Sequence, residues 1–143
     1  MLSRRKTREL AMQVLFLWDT NGQSDHALAA QLVDDGSTED ATRRDALAMA
    51  AGAWNGRDVA DKWVERLAPQ WPPRRQPAVD RNLLRLAIYE MTATDTPAKV
   101  VIDEAIELAK SFSTENSPSF INGVLDAVLH ERTALLEGAA KPE

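Results

Sequence analysis

Residues 79–129 read VDRNLLRLAIYEM, TATDTP, AKVVIDEAIELAKSF, STENSP and SFINGVLDAVL. Leu83, Leu84, Ala87, Ile88 and Met91 recur every three or four positions in the first segment. Val101, Ile102, Ala105, Ile106, Leu108, Ala109 and Phe112 do so in the second, and Ile121, Val124, Leu125, Val128 and Leu129 in the third. This period belongs to helices, and none of the three alternates as a strand does. The apolar bands are wider than a two-position seam, which favours a bundle over a coiled coil. Each break ends in a hydroxyl residue followed by proline, Thr96-Pro97 and Ser117-Pro118. That pairing predicts hydroxyl-capped helix starts, each cap worth about 1 kcal/mol.

Working back toward the N-terminus, residues from about Lys6 to Thr20 predict a helix that Asn21-Gly22 stops. Ser24, as a cap, opens a short helix to about Asp34. Thr38 opens a segment to about Leu67, read as one bent helix or as two joined near Gly56. Trp54 and Trp63 fall on its apolar face and are read as core. Prolines at 69, 72, 73 and 77 exclude a helix across the next connection. The expected organisation is one all-α domain, a compact bundle of about six or seven helices in two subdomains. A helical half over about 3–68 and another over about 78–133 are joined by the proline-rich 69–77. A disordered tail is expected over about 134–143.

Composition removes several function classes. Cysteine is absent, so neither disulfides nor thiolate metal sites are available. No apolar run approaches the roughly 20 residues that span a bilayer, and the N-terminus lacks the apolar region of a signal peptide. Cytoplasmic location is the expectation. His26 and His130 lie in unrelated settings, and no nucleotide loop or hydrolase motif is present. Asp103, Glu104 and Glu107 are the densest acids. They read as structural, Glu107 reaching Lys110 and another anchoring a neighbouring helix. No enzyme, metal or cofactor is therefore expected.

The net charge of −5 argues against nucleic acid, but its distribution reverses the inference. Arg4, Arg5, Lys6 and Arg8 fall within the first eight residues, which hold no acid. A cationic arm on an acidic body suits a local anionic partner. Phe120 sits at the edge of its apolar band, and Phe112 ends its helix facing the same break. An edge aromatic beside such an arm suits base stacking, although core packing is the plainer reading for both. Asn122-Gly123 disfavours a helix interior. It reads as a close helix approach, with a buried amide tying helix ends together.

Three motifs together resemble the NusB family: VDRNLLRLAIYEM, VVIDEAIELAKSF and FINGVLD at Phe120–Asp126. SRRKTRELAMQVLF at 3–16 matches the family's N-terminal pattern, so the resemblance covers nearly the whole chain. It implies an RNA-binding transcription antitermination factor that recognises boxA-type single-stranded RNA in ribosomal RNA leader transcripts. Its partners would be the ribosomal protein NusE and the transcription elongation complex. Arg4, Arg5, Lys6, Arg8, Gln13, Ser119 and Phe120 would then contact RNA, the arm lying next to Phe120. Phe16, Asp80 and Arg81 match positions that the family uses toward its protein partner, with Phe16 in place of the more usual tyrosine. Some members self-associate, so a homodimer is among the expectations. Trp71 and Arg75 match the family, whereas Pro72-Pro73, Gln76 and Asn116 depart from it. The rivals are the related RNA-binding domain of ribosomal RNA cytosine methyltransferases and a helical protein-interaction module without RNA.

Overall fold

The computed structural model describes the backbone of residues 2–140 and the side chains of residues 4–133. Seven α-helices and no strand occur among the described residues: α1 (Leu2–Asn21), α2 (His26–Val33), α3 (Asp40–Asn55), α4 (Arg57–Leu67), α5 (Ala78–Ala93), α6 (Ala98–Phe112) and α7 (Ser117–Ala140). A 3-10 turn, Pro73–Arg75, lies between α4 and α5. Gly22 takes the left-handed φ of +76° that stops α1. The long third segment is two helices, separated at Gly56. No described helix is long and apolar enough to cross a membrane.

α5 is the axis of the molecule, packed by α1, α3, α4, α6 and α7. The unbroken stretch Asn82–Ile88 is buried, so this helix has no solvent stripe at its centre. Trp18, Leu15, Leu83, Leu84, Met91, Ile121 and Leu125 belong to one contiguous core that both halves of the chain supply. α3 approaches α5 closely at Gly52, where an added Cβ would overlap the Tyr89 ring.

A helix buried all round must pair its polar side chains. Arg81 and Asn82 of α5 bond Asp19 of α1 at 2.7–3.1 Å. Arg85 spans Asp61 of α4 at 2.7 and 2.9 Å and reaches Asp19 at 3.3 Å. Burial pushes the Asp19 carboxyl up. The Arg81 hydrogen bond, the Arg85 and Arg81 charges and the Asn82 amide outweigh it, and the carboxyl lies below its usual 3.8. A carboxylate depressed in the folded state contributes stability that is full above about pH 4 and lost as pH falls through the folded value. Asp19→Asn is expected to cost about 1–3 kcal/mol at neutral pH and to flatten the acid limb of stability. Denaturant melts between about pH 6 and pH 3 check it, and an acid limb identical to that of the parent protein would contradict it.

Four local expectations are corrected. Asp25, not Ser24, caps α2, accepting the Leu28 N–H at 3.0 Å. Neither Thr96 nor Ser117 caps the helix next to it. The Pro97 carbonyl accepts the Val100 and Val101 N–H groups. Ser117 Oγ turns backward, accepting from Thr114 N–H at 3.2 Å and donating to Asp80 Oδ2 at 2.9 Å. Asn122 and Gly123 are exposed, and nothing lies within 4 Å of a Cβ placed on Gly123, so this pair neither ties nor packs helices. α7 continues to Ala140, where a tail was expected from about 134. Ala134, Leu135, Leu136 and Glu137 are strong helix formers, and the first proline comes at 142. Residues 141–143 of the expected tail lie outside the described ones.

Candidate functional site

α1 and α5 run antiparallel, because Arg8 meets Glu90 at one end while Asp19 meets Arg81 at the other. α7 runs parallel to α5: Ser117 meets Asp80, and Arg132 bonds the Met91 carbonyl. These pairings decide which candidate residues come together.

The first turns of α1 are helical, not a loose arm. Arg4 and Arg5 are exposed and Lys6 is half-buried. Arg5 makes two bonds to the Glu104 carboxylate of α6, at 2.9 and 3.2 Å. Lys6 lies 4.0 Å from Glu9. Arg8 is different. It is 5% exposed and makes two bonds, at 2.8 and 3.0 Å, to Glu90, itself 1% exposed. The expectation of a phosphate contact at Arg8 is thereby corrected, since its guanidinium is a core ion pair. Helical spacing puts Arg8 on the stripe of Ala11, Leu15 and Trp18, all buried.

The same spacing puts Arg5, Met12, Gln13 and Phe16 on the α1 side that faces α6. Gln13, Phe16 and Phe112 line a groove of about 400 Å³ with Met12, Leu17, Thr20, Leu32 and Val79. Phe16 and Phe112 are each 41% exposed. The seam between α1 and α6 thus runs from a charged head at Arg5–Glu104 to an aromatic trough at Phe16–Phe112. It is about 16 Å long by the helical rise.

Asp80 and Arg81 stand behind the trough, in a role other than a free surface contact. Asp80 is 2% exposed, and its carboxylate accepts from the hydroxyls of Ser113 and Ser117. Arg81 donates to Asp19 and to the carbonyls of Pro73 and Gln76. Asp80 holds the end of α6 and the start of α7 against α5, while Arg81 ties α1 and the 3-10 connection to the same helix.

Phe120 opens onto other hollows than Phe112. It lines one of about 480 Å³ with Trp71, Pro77, Asp80, Thr114, Asn116 and Ser117. Trp71 and Phe120 recur in a second of about 570 Å³, which Ser119 and Gly123 also line. Phe120 therefore belongs to the Asp80 end of α5, whereas the α1 cations belong to the Glu90 end, ten residues or about 15 Å along the axis. The expectation that arm and rim lie side by side is corrected, because α1 enters the bundle from the far end.

Other groups match or extend the reading. Glu107 pairs with Lys110 at 3.3 Å, and Glu104 is the acid that anchors a neighbouring helix. No cluster of acids or histidines that could hold a metal occurs among the described residues. Trp71, 47% exposed, was legible only as a family match, not as a site residue. The signal for it was an aromatic inside a proline-locked connection next to two arginines.

The chain matches the NusB family model over residues 5–130. It is 44% identical over 133 residues to the transcription antitermination protein NusB of Solibacter usitatus, covering 92% of this chain and 91% of that one. Among solved structures it superposes on T. maritima NusB with a TM-score of 0.77 and 35% identity, over 90% of this chain and 91% of that one. It superposes equally well on the NusB chain of an assembly of antitermination factors NusB and NusE with dsRNA. There the TM-score is 0.79 and the identity 25%, over 90% of this chain and 96% of that one. With the family model matched over residues 5–130 and a relative 44% identical along nearly its whole length, this chain belongs to the NusB family.

Proposed function

We propose that this protein is a transcription antitermination factor acting in the cytoplasm without enzymatic activity. It binds boxA-type single-stranded RNA in ribosomal RNA leader transcripts together with NusE, and so helps RNA polymerase in the elongation complex resist termination. The observation that carries this reading is the exposed cationic head of α1 on an otherwise acidic chain, continuous with the α1–α6 seam. Arg4, Arg5 and Lys6 neutralise phosphates, Arg5 exchanging Glu104 for RNA. Gln13, further along the same seam, reads a base edge. The trough of Phe16 and Phe112 takes an apolar segment of NusE. Phe16 offers no hydroxyl, so this contact is one of packing alone.

The name carried by the relatives favours this reading over the methyltransferase-associated domain. Exposed charge at one helix end favours it over a module without RNA. The related NusB–NusE assembly holds a duplex, so strandedness belongs in the test. A titration with a boxA-type oligonucleotide is expected to show tighter binding than a scrambled strand or a duplex of the same length, and a further gain when NusE is added. Equal affinity for all three RNAs, unchanged by NusE, would contradict the proposal.

A further inference from the structure

We propose that the seam between α4 and α7 is a docking site for an acidic protein segment that carries an aliphatic side chain. This rests on the reading of the chain as a factor that works within the elongation complex, and it adds a protein contact on another side of the molecule.

Val59, Lys62, Trp63 and Arg66 recur at three- and four-residue spacing and so share one stripe of α4. With Glu131 of α7 they line a hollow of about 340 Å³. Val59 is 69% exposed, the most of any large apolar side chain described. A β-branched residue there gains neither burial nor helix propensity. One exposed valine is ordinary surface. This one adjoins Trp63, whose indole is anchored on the core and still borders the hollow. A tryptophan and an arginine around an apolar recess are the side chains that dominate protein interfaces.

Charge selects the occupant. Lys62 is exposed and makes no ion pair or hydrogen bond among the described residues. Arg66 pairs with Glu131, yet its side chain stays 59% exposed. Helical spacing puts the exposed acids of α4, Asp58 and Glu65, on the flank turned away from α7. An acidic chain thus presents a cationic excess around an apolar recess, which complements a carboxylate next to an aliphatic side chain. A nucleic acid strand fits less well. Glu131 stands in the hollow, one cation is already paired, and Val59 offers no ring to stack on.

Position separates this partner from those already placed. α1, α3, α4, α7 and α6 surround α5 in that order. The α4–α7 seam therefore faces away from the α1–α6 seam, and a protein seated on it leaves RNA and NusE in place. Glu131 also lies eleven residues beyond Phe120 along α7, about 16 Å by the helical rise, so this hollow is distinct from the two at Phe120.

The test uses the full chain, NusE and a purified elongation complex stalled on a transcript that carries boxA-type RNA. Val59→Glu and Lys62→Glu are expected to melt like the parent protein and to bind free RNA and NusE within about threefold of it, as exposed substitutions do. Retention on the elongation complex is expected to fall roughly 10-fold in each, the loss of one central interface contact. Val59→Ile and Lys62→Arg are expected to be retained like the parent. The chain has no cysteine, so Val59→Cys carries a single photoactivatable crosslinker. It is expected to mark, on a protein other than NusE, a segment with Asp or Glu next to an aliphatic residue. Parent-like retention of both Glu variants would overturn the site while leaving RNA and NusE binding standing. A crosslink to the transcript, to NusE, to a second copy of this chain or to nothing would overturn it too. Failure of the parent protein to bind RNA and NusE would remove the functional reading and this site together.

Discussion

Glu90→Ala is expected to destabilise the protein by about 3–5 kcal/mol, the usual consequence of leaving a buried charge without its partner. In a domain of this size that lowers the melting temperature by roughly 10–17 °C. The Arg8 guanidinium sits in the core and gives its Nε–H and an Nη2–H to the two Glu90 oxygens. Water cannot replace the carboxylate without opening the contact between α1 and α5. Arg8→Ala is expected to cost a similar amount for the converse reason. Arg8→Met/Glu90→Met should recover most of the loss, because desolvation offsets much of the attraction in such pairs. Thermal melts of the three variants check this. A single substitution costing under about 1 kcal/mol would place the pair in water instead.

Neutralising Arg4, Arg5 and Lys6 together is expected to leave the melting temperature nearly unchanged and to weaken RNA binding roughly 10- to 100-fold. Each exposed pair contributes about 0.5–1 kcal/mol. Arg5 already has a carboxylate partner in Glu104, so part of its gain on RNA is offset by the bond it gives up. Glu104→Gln therefore acts in the opposite direction, raising affinity by a few-fold. The contrast with Arg8 is sharp. Four basic residues within five positions divide into three that touch solvent and one that stabilises the fold.

That division shows what the sequence could and could not tell. A bundle of about six or seven helices, a weak point near Gly56 and the left-handed stop at Gly22 were legible, because each rests on local periodicity or backbone preference; whether Gly56 bends one helix or divides two was not. The Glu107–Lys110 pair was legible from its spacing, whereas which of Asp103 and Glu104 anchors a neighbouring helix was not, because the partner Arg5 comes from 99 residues away. Arg8 was half legible. Its position on the stripe of Ala11 and Leu15 marks it as inward, but only Glu90, 82 residues away, makes its burial tolerable. Nothing local announces that pairing.

The hydroxyl caps failed for a related reason. Ser117 had a competing acceptor in Asp80, which the fold brings to it from 37 residues away. Propensity at the Ser-Pro step could not weigh that bond. The placement of Phe120 was missed because lateral adjacency depends on the direction in which α1 enters the bundle. Periodicity is blind to direction. Asn122-Gly123 misled in the opposite sense: two poor helix formers suggested packing, and the structure leaves them open to water.

Salt dependence of RNA binding tests the central claim most directly: the exposed cations of α1 grip the phosphates of a single strand. Three such cations give a slope of roughly −2 in log affinity against log salt, at about −0.7 each. Replacing Arg4, Arg5 and Lys6 with alanine is expected to remove that share of the slope. A parent protein with a flat response, or a triple variant with the parent's slope, would contradict it.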